Sequence, residues 1–185
     1  VSDVIARRYA QAMAEVAEPE GVVEVVGRDL ERFAELMAAN GGPLGDALAS
    51  PVFTTEERRA VIDQLLPRLG LHRLTANLLH VVNEKRRFAL MSAIASAYRD
   101  LADARANRAR ITVQTATPLG AELEREVREA LERVTSKQVL LTTELRPELI
   151  GGLVARVGDT VYDSSIRTRL EQLKQSLLQG PVAQA

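Results

Sequence analysis

The segment RANRARITVQTATPLG, residues 105–120, is where the pattern of this sequence changes. Before it, apolar residues recur every three or four positions. Within it, Ile111, Val113 and Thr115 alternate with Thr112 and Gln114, the two-residue period of a strand with one buried face. Thr117-Pro118 reads as a helix cap followed by proline at the first helical position. A helical stripe follows at Leu119, Leu123, Val127, Ala130, Leu131 and Val134, and residues 139–145 return to a β-like composition. Strand, helix, strand predicts a crossover unit, hence two parallel strands.

Upstream, the chain reads as successive amphipathic helices. In residues 2–17 the spacing of Ile5, Tyr9, Ala12, Met13 and Val16 predicts an apolar face, with Ala6, Ala10 and Ala14 as a small-residue stripe beside it. Residues 21–39 continue with Val22, Val26, Leu30, Phe33 and Met37, until Asn-Gly-Gly-Pro at 40–43 stops the helix. A short helical piece is expected over 46–49. Thr54 and Glu57 stand at capping-box spacing before Val61, Ile62, Leu65 and Leu69, with Pro67 placed to bend or end that helix. Leu71, Leu74, Leu78 and Val81/Val82 mark a fifth helix. Phe88, Met91, Ile94, Ala95, Tyr98 and Leu101 mark a sixth. Short connections between such helices predict a bundle.

Downstream stands LIGGLVARVGDTVYDSSIRTRLEQL, residues 149–173. Leu153, Ala155 and Val157 alternate with Val154 and Arg156, and Gly158-Asp159 separates them from Thr160, Val161 and Tyr162. That pattern predicts a hairpin with a two-residue turn. Gly151-Gly152 is a poor phosphate loop, since no Gly-Lys-Ser/Thr follows and the next element is a strand. Asp163-Ser164-Ser165 reads as a helix cap rather than a nucleophile site, because both histidines, His72 and His80, lie in the helical part. Ile166, Leu170, Leu173 and Leu177 then predict a closing helix with a narrow seam.

Composition agrees with this reading. The 185 residues are 46% hydrophobic and 3% aromatic, so the core is built from aliphatic side chains. Lys plus Arg number 24 against 25 Asp plus Glu, without the cationic excess of a nucleic-acid binder. No cysteine is present, which excludes disulfides and thiolate metal sites. His72 and His80 are eight apart and lack supporting ligands, Glu56-Glu57 suits a helix start, and Lys85-Arg86-Arg87 with the arginines of RANRAR reads as solvated charge. No segment predicts a transmembrane helix or an export signal. No catalytic constellation, cofactor site or metal site is expected.

With these residues in view, the chain resembles the delta subunits of bacterial-type F-type ATP synthases, relatives of the mitochondrial oligomycin-sensitivity-conferring protein. Leu149-Ile150-Gly151-Gly152, Val157-Gly158-Asp159, Asp163-Ser164-Ser165-Ile166-Arg167 and Leu170 match that family's C-terminal signature in order and spacing. Arg8-Tyr9-Ala10-Gln11-Ala12-Met13 and Ala116-Thr117-Pro118-Leu119 add weaker support. Met13 replaces a usual leucine, Glu84-Lys85-Arg86 a common Asn-Gly-Arg, and Arg146 an acid.

The resemblance implies a mainly α protein: a six-helix bundle over 1–104, a linker at 105–110, a small α+β domain over 111–180 and a tail at 181–185. It implies a non-catalytic stator subunit on the cytoplasmic face of the bacterial cell membrane, reaching that membrane only through the complex and binding no nucleic acid. The bundle would hold the N-terminal helix of an alpha subunit in a groove between the first and fifth helices, through Ala6, Tyr9, Ala10, Met13, Leu74, Leu78 and Val81. The second domain would bind the b-subunit stalk, with the signature residues in structural or stalk-binding roles. Each bundle residue can equally belong to the core of its own helix packing. The main alternative, an RNA-binding module, fits the strand–helix order but lacks a GxxG clamp, a strand-borne aromatic pair and a basic surplus.

Overall fold

The computed structural model describes residues 2–39, 42–149, 153–157 and 160–163. The chain divides into two compact units, Val1–Arg105 and Ala106–Ala185.

The first unit is a bundle of six helices: α1 (Ser2–Ala17), α2 (Val23–Ala38), α3 (Pro43–Ala49), α4 (Thr55–Leu69), α5 (Arg73–Glu84) and α6 (Met91–Arg105). A 3₁₀ turn, Phe88–Leu90, precedes α6. The core collects Val26, Leu30 and Phe33 of α2, Leu79 and Val82 of α5, and Met91, Ile94 and Tyr98 of α6. Phe33 and Phe88 meet at a ring-centroid distance of 6.3 Å, close enough for an aromatic contact.

Several boundaries differ from the sequence reading. The α1 stripes exchange roles: Ala6, Ala10, Met13, Ala14 and Ala17 are buried, while Ile5 and Tyr9 are half-buried and Ala12 and Val16 exposed. Small side chains let α6 come close along α1, and that contact decides which stripe goes inside. Helix α3 begins at Pro43 rather than at 46, because Gly42, with φ 84°, turns the chain into it and proline occupies the first helical positions. Pro67 sits inside α4, which nevertheless runs to Leu69. Of the α4 stripe only Ile62 is buried, and the buried neighbour one turn earlier is Arg58.

Polar groups inside the bundle tie its loops. Arg58 donates from Nε to Asn83 Oδ1 (3.1 Å) and from Nη1 to the Ser50 carbonyl (2.9 Å), and Asn83 Nδ2 donates to the Thr55 carbonyl (2.9 Å). These bonds knit α4, α5 and the α3–α4 turn together. The expected capping box is present, with the Thr54 hydroxyl accepting from the Glu57 amide and the Glu57 carboxylate accepting from the Thr54 amide.

The second unit starts immediately. The expected linker 105–110 reduces to Ala106 and Asn107, since β1 (Arg108–Thr115) begins three residues before the alternation became visible. Then come α7 (Ala121–Thr135), β2 (Gln138–Leu145), β3 (Leu153–Val157) and β4 (Thr160–Asp163). Among the described residues the sheet order is β2-β1-β3-β4, with β1 and β2 parallel as the crossover predicted and both other pairs antiparallel. Val157 pairs with Thr160, so β3 and β4 are separated by two residues, as expected of the hairpin. Positions 158 and 159 themselves lie outside the described residues.

Ile111, Val113, Val139 and Ala155 form the sheet's core, against which Leu119, Val127 and Leu131 pack. Thr117-Pro118 does not start α7. Its cap is Gly120, after the chain has run on past Leu119 to reach the sheet core. No residue of α7 is fully buried, and Leu123 and Val134 of its predicted stripe are exposed. The predicted cap at Asp163 falls on the last residue of β4, and the closing helix lies outside the described residues.

Candidate functional site

Helix α1 carries two apolar stripes, roughly a quarter turn apart at 3.6 residues per turn. The inner one, of alanines and Met13, is consumed by the core. The outer one, Ile5, Tyr9, Ala12 and Val16, repeats at spacings of four, three and four, with Val16 50% exposed. Ile5, Tyr9 and Ala12, with Arg8 and Arg87, line an open groove of about 410 Å³.

Arg87 is brought there by the end of α5. Arg86 takes φ 53° just past the helix, and the Arg87 amide bonds back to the Val82 carbonyl at 2.9 Å. The turned chain sets the Arg87 guanidinium 5.8 Å from the Tyr9 ring centroid, within cation–π range, and its Nη1 donates to the Tyr9 hydroxyl at 3.1 Å. One rim of the groove is therefore held in place by a side chain 78 positions away in sequence.

Of the seven residues expected to hold an alpha subunit, Ala6, Ala10, Met13, Leu74 and Leu78 lie in the bundle core. Tyr9 is half-buried on the groove, and Val81 is 42% exposed on α5. Ile5, Ala12 and Arg87 were not singled out as site residues. The signal that could have found the first two is the second stripe itself, since one helix rarely needs two apolar faces for one core.

Of the C-terminal signature, Leu149 is half-buried in a bend, its amide donating to the Arg146 carbonyl at 3.0 Å, and Asp163 ends β4. Ile150, Gly151, Gly152, Gly158, Asp159, Ser165, Ile166, Arg167 and Leu170 lie outside the described residues.

The histidines have structural occupations. His72 caps α5, its Nδ1 accepting from the Leu74 amide at 3.3 Å. His80 Nε2 faces Asp63 at 3.4 Å. Among the described residues no group of three or more His, Asp or Glu could hold a metal ion, and no helix is long and apolar enough to cross a membrane.

A helical bundle with a partly exposed apolar helix face, followed in the chain by a small crossover sheet, is the kind of surface that takes another protein. Comparisons with known proteins make this specific. The profile of the ATP synthase delta (OSCP) subunit family matches residues 5–177. The ATP synthase subunit delta of Myxococcus xanthus is 38% identical over 177 residues, covering 95% of this chain and 97% of that protein. That of Geotalea uraniireducens is 31% identical over 179 residues, covering 97% and 99%. A chain of the Toxoplasma gondii mitochondrial ATP synthase hexamer, seen by cryo-EM, superposes with a TM-score of 0.69 at 28% identity, covering 96% of this chain and 98% of that one.

The chain belongs to the ATP synthase delta (OSCP) family. It is a component of the peripheral stalk of an F-type ATP synthase, a structural subunit rather than a catalytic one, and its partners are other ATP synthase subunits.

Proposed function

We propose that this subunit bridges the catalytic alpha–beta hexamer and the b-subunit stalk, so that the hexamer does not turn with the rotor. The N-terminal unit holds the N-terminal helix of an alpha subunit on the outer stripe of α1. Val81, exposed on α5, is the other expected residue available to the partner. Five of the residues first expected there act as its supporting core. The C-terminal unit takes the end of the b-subunit, and the whole sits on the cytoplasmic face of the membrane, attached only through the complex.

The observation that carries this reading is the Ile5, Tyr9, Ala12 and Val16 stripe, which its own bundle covers only in part: Ile5 and Tyr9 are half-buried, Ala12 and Val16 exposed. Helices docking in grooves are read by apolar residues at this spacing. Division of labour between two units also suits a stator. A single contact of ~1 nM with an on-rate of ~10⁶ M⁻¹s⁻¹ releases in roughly a quarter of an hour. Two linked contacts lengthen this by effective concentration.

The test is recovery of the tagged full chain from detergent-solubilised native membranes at low and high salt, with partners identified by mass spectrometry. Alpha and b subunits should be retained at both. Recovery of the chain without them, from membranes that contain them, would sink the bridging role.

A further inference from the structure

The groove on α1 is apolar along its length and cationic at its borders. Arg8 lies to one side of the Ile5–Ala12 line on the helix circumference, and Tyr9 lies to the other, beneath the Arg87 guanidinium. Both arginines line the groove and no acidic side chain does. Among the described residues neither has a carboxylate at ion-pair distance, whereas the preceding Arg7 is paired with Asp3 at 3.1 Å. The bond to Tyr9 is to a neutral hydroxyl, so it orients Arg87 without neutralising it.

We infer that this groove selects an amphipathic helix whose apolar stripe is bordered by carboxylates on both sides. The inference rests on the groove being the alpha-subunit site, and its occupant is accordingly an N-terminal alpha helix with Asp or Glu at those flanking positions. The apolar strip supplies contact area, and the two cations supply register. A helix rotated about its axis, or docked with basic flanks, would face Arg8 and Arg87 with apolar or like-charged groups. Arg87, held by the Tyr9 ring and hydroxyl, offers its remaining donors with little further loss of side-chain freedom.

Isothermal titration of the full chain with a synthetic peptide of the same organism's alpha N-terminal segment tests this, alongside a second peptide whose Asp and Glu are replaced by Asn and Gln. Arg8→Gln and Arg87→Gln should each weaken the acidic peptide by about fivefold, the upper range for exposed ion pairs. Arg8→Gln should leave the neutral peptide unchanged. Arg87→Gln, which also releases the Tyr9 rim, should weaken the neutral peptide less than the acidic one, and Arg87→Lys should recover only part of the acidic peptide's loss. Ala12→Asp, which puts an acid into the strip, should lose at least roughly tenfold with either peptide. If the acidic peptide binds both Gln variants as tightly as the wild type while Ala12→Asp has lost it, the groove stands and the charge selection is overturned. If Ala12→Asp also binds normally, or the peptide does not bind the wild type at all, the alpha-subunit site is elsewhere and the inference falls with it. Arg8 is exposed, so its variant reads binding without a folding defect.

Discussion

Asp29 and Thr75 meet inside the bundle although they are 46 positions apart in sequence, the Thr75 hydroxyl donating to Asp29 Oδ2 at 3.1 Å. The same oxygen accepts from the backbone amide of His72 at 2.7 Å. One carboxylate on α2 thus holds both the start of α5 and the turn leading into it. Asp29→Ala leaves that part-buried amide and the buried Thr75 hydroxyl without their acceptor, and stability should fall by about 1–3 kcal/mol. Urea unfolding measures this. A loss no larger than that of an exposed Asp→Ala control would show the carboxylate to be dispensable.

Two helix glycines should respond in opposite senses to alanine. At Gly45 an added Cβ would stand 2.7 Å from the Met37 carbonyl oxygen, so α3 would have to move off α2. At Gly27 it would rest 3.5 Å from the Tyr98 ring, an ordinary contact. Gly45→Ala should cost about 1–3 kcal/mol, and Gly27→Ala should gain up to about 1 kcal/mol from helix propensity. Melting temperatures of the two variants moving in the same direction would contradict this.

Thr54→Ala removes the cap of α4 and should cost about 1 kcal/mol at neutral pH. The cost should depend on acidity. Hydrogen bonds from the Thr54 amide and hydroxyl hold the Glu57 carboxyl below its ordinary 4.5. A depressed folded pKa means stability that is present above 4.5 and lost as pH falls through the lower folded value. The gap between wild type and Thr54→Ala should therefore narrow below pH 4.5. Parallel stability curves down to pH 2 would count against it.

Tyr98 should contribute to the loss of stability at alkaline pH. Its side chain is fully buried and its hydroxyl donates to the Val23 carbonyl at 3.1 Å. Burial, helped by the charge of Glu24 and opposed by Arg105, pushes the phenol up to about 12 from 10.0. A raised folded pKa gives stability that is whole below 10.0 and declines as pH rises towards 12. Tyr98→Phe should lose less stability than wild type across that window, as read by circular dichroism.

Leu78 and Val81 are three residues apart on α5 but belong to different surfaces, at 7% and 42% exposure. Leu78→Glu should unfold the bundle. Val81→Glu should leave the melting temperature nearly unchanged and weaken alpha-subunit binding. Equal thermal damage from both would place Val81 in the core.

How much of this was legible depended on whether one physical cause acted alone. Val26, Leu30, Phe33 and Met37 form a single stripe, and all four are buried. Ile111, Val113 and Thr115 alternate cleanly and point inward. In α1 two stripes competed, and only the approach of α6 chose between them, a tertiary fact absent from local spacing. Thr117-Pro118 carried correct helix-start chemistry, but the pull of Leu119 towards the sheet postponed the helix to Ala121. Arg58 and Asp29 look like surface charges in sequence, because their partners Asn83, Ser50 and Thr75 come from other elements. The groove was half legible: its Tyr9 was named, whereas Arg87 reaches it only through the turn after α5.

The placement of β1 has a mechanical consequence. It follows α6 after two residues and lies between β2 and β3, with its register continuous along both over Thr112 to Thr115. Tension carried down the backbone from the last bundle helix therefore enters the sheet at an inner strand. There it meets the β2 ladder from Arg108 and both ladders from Thr112 to Thr115, where an edge strand would have one ladder throughout. In a peripheral-stalk subunit, the covalent joint between units thus hands its load to a strand paired on both sides rather than to an edge.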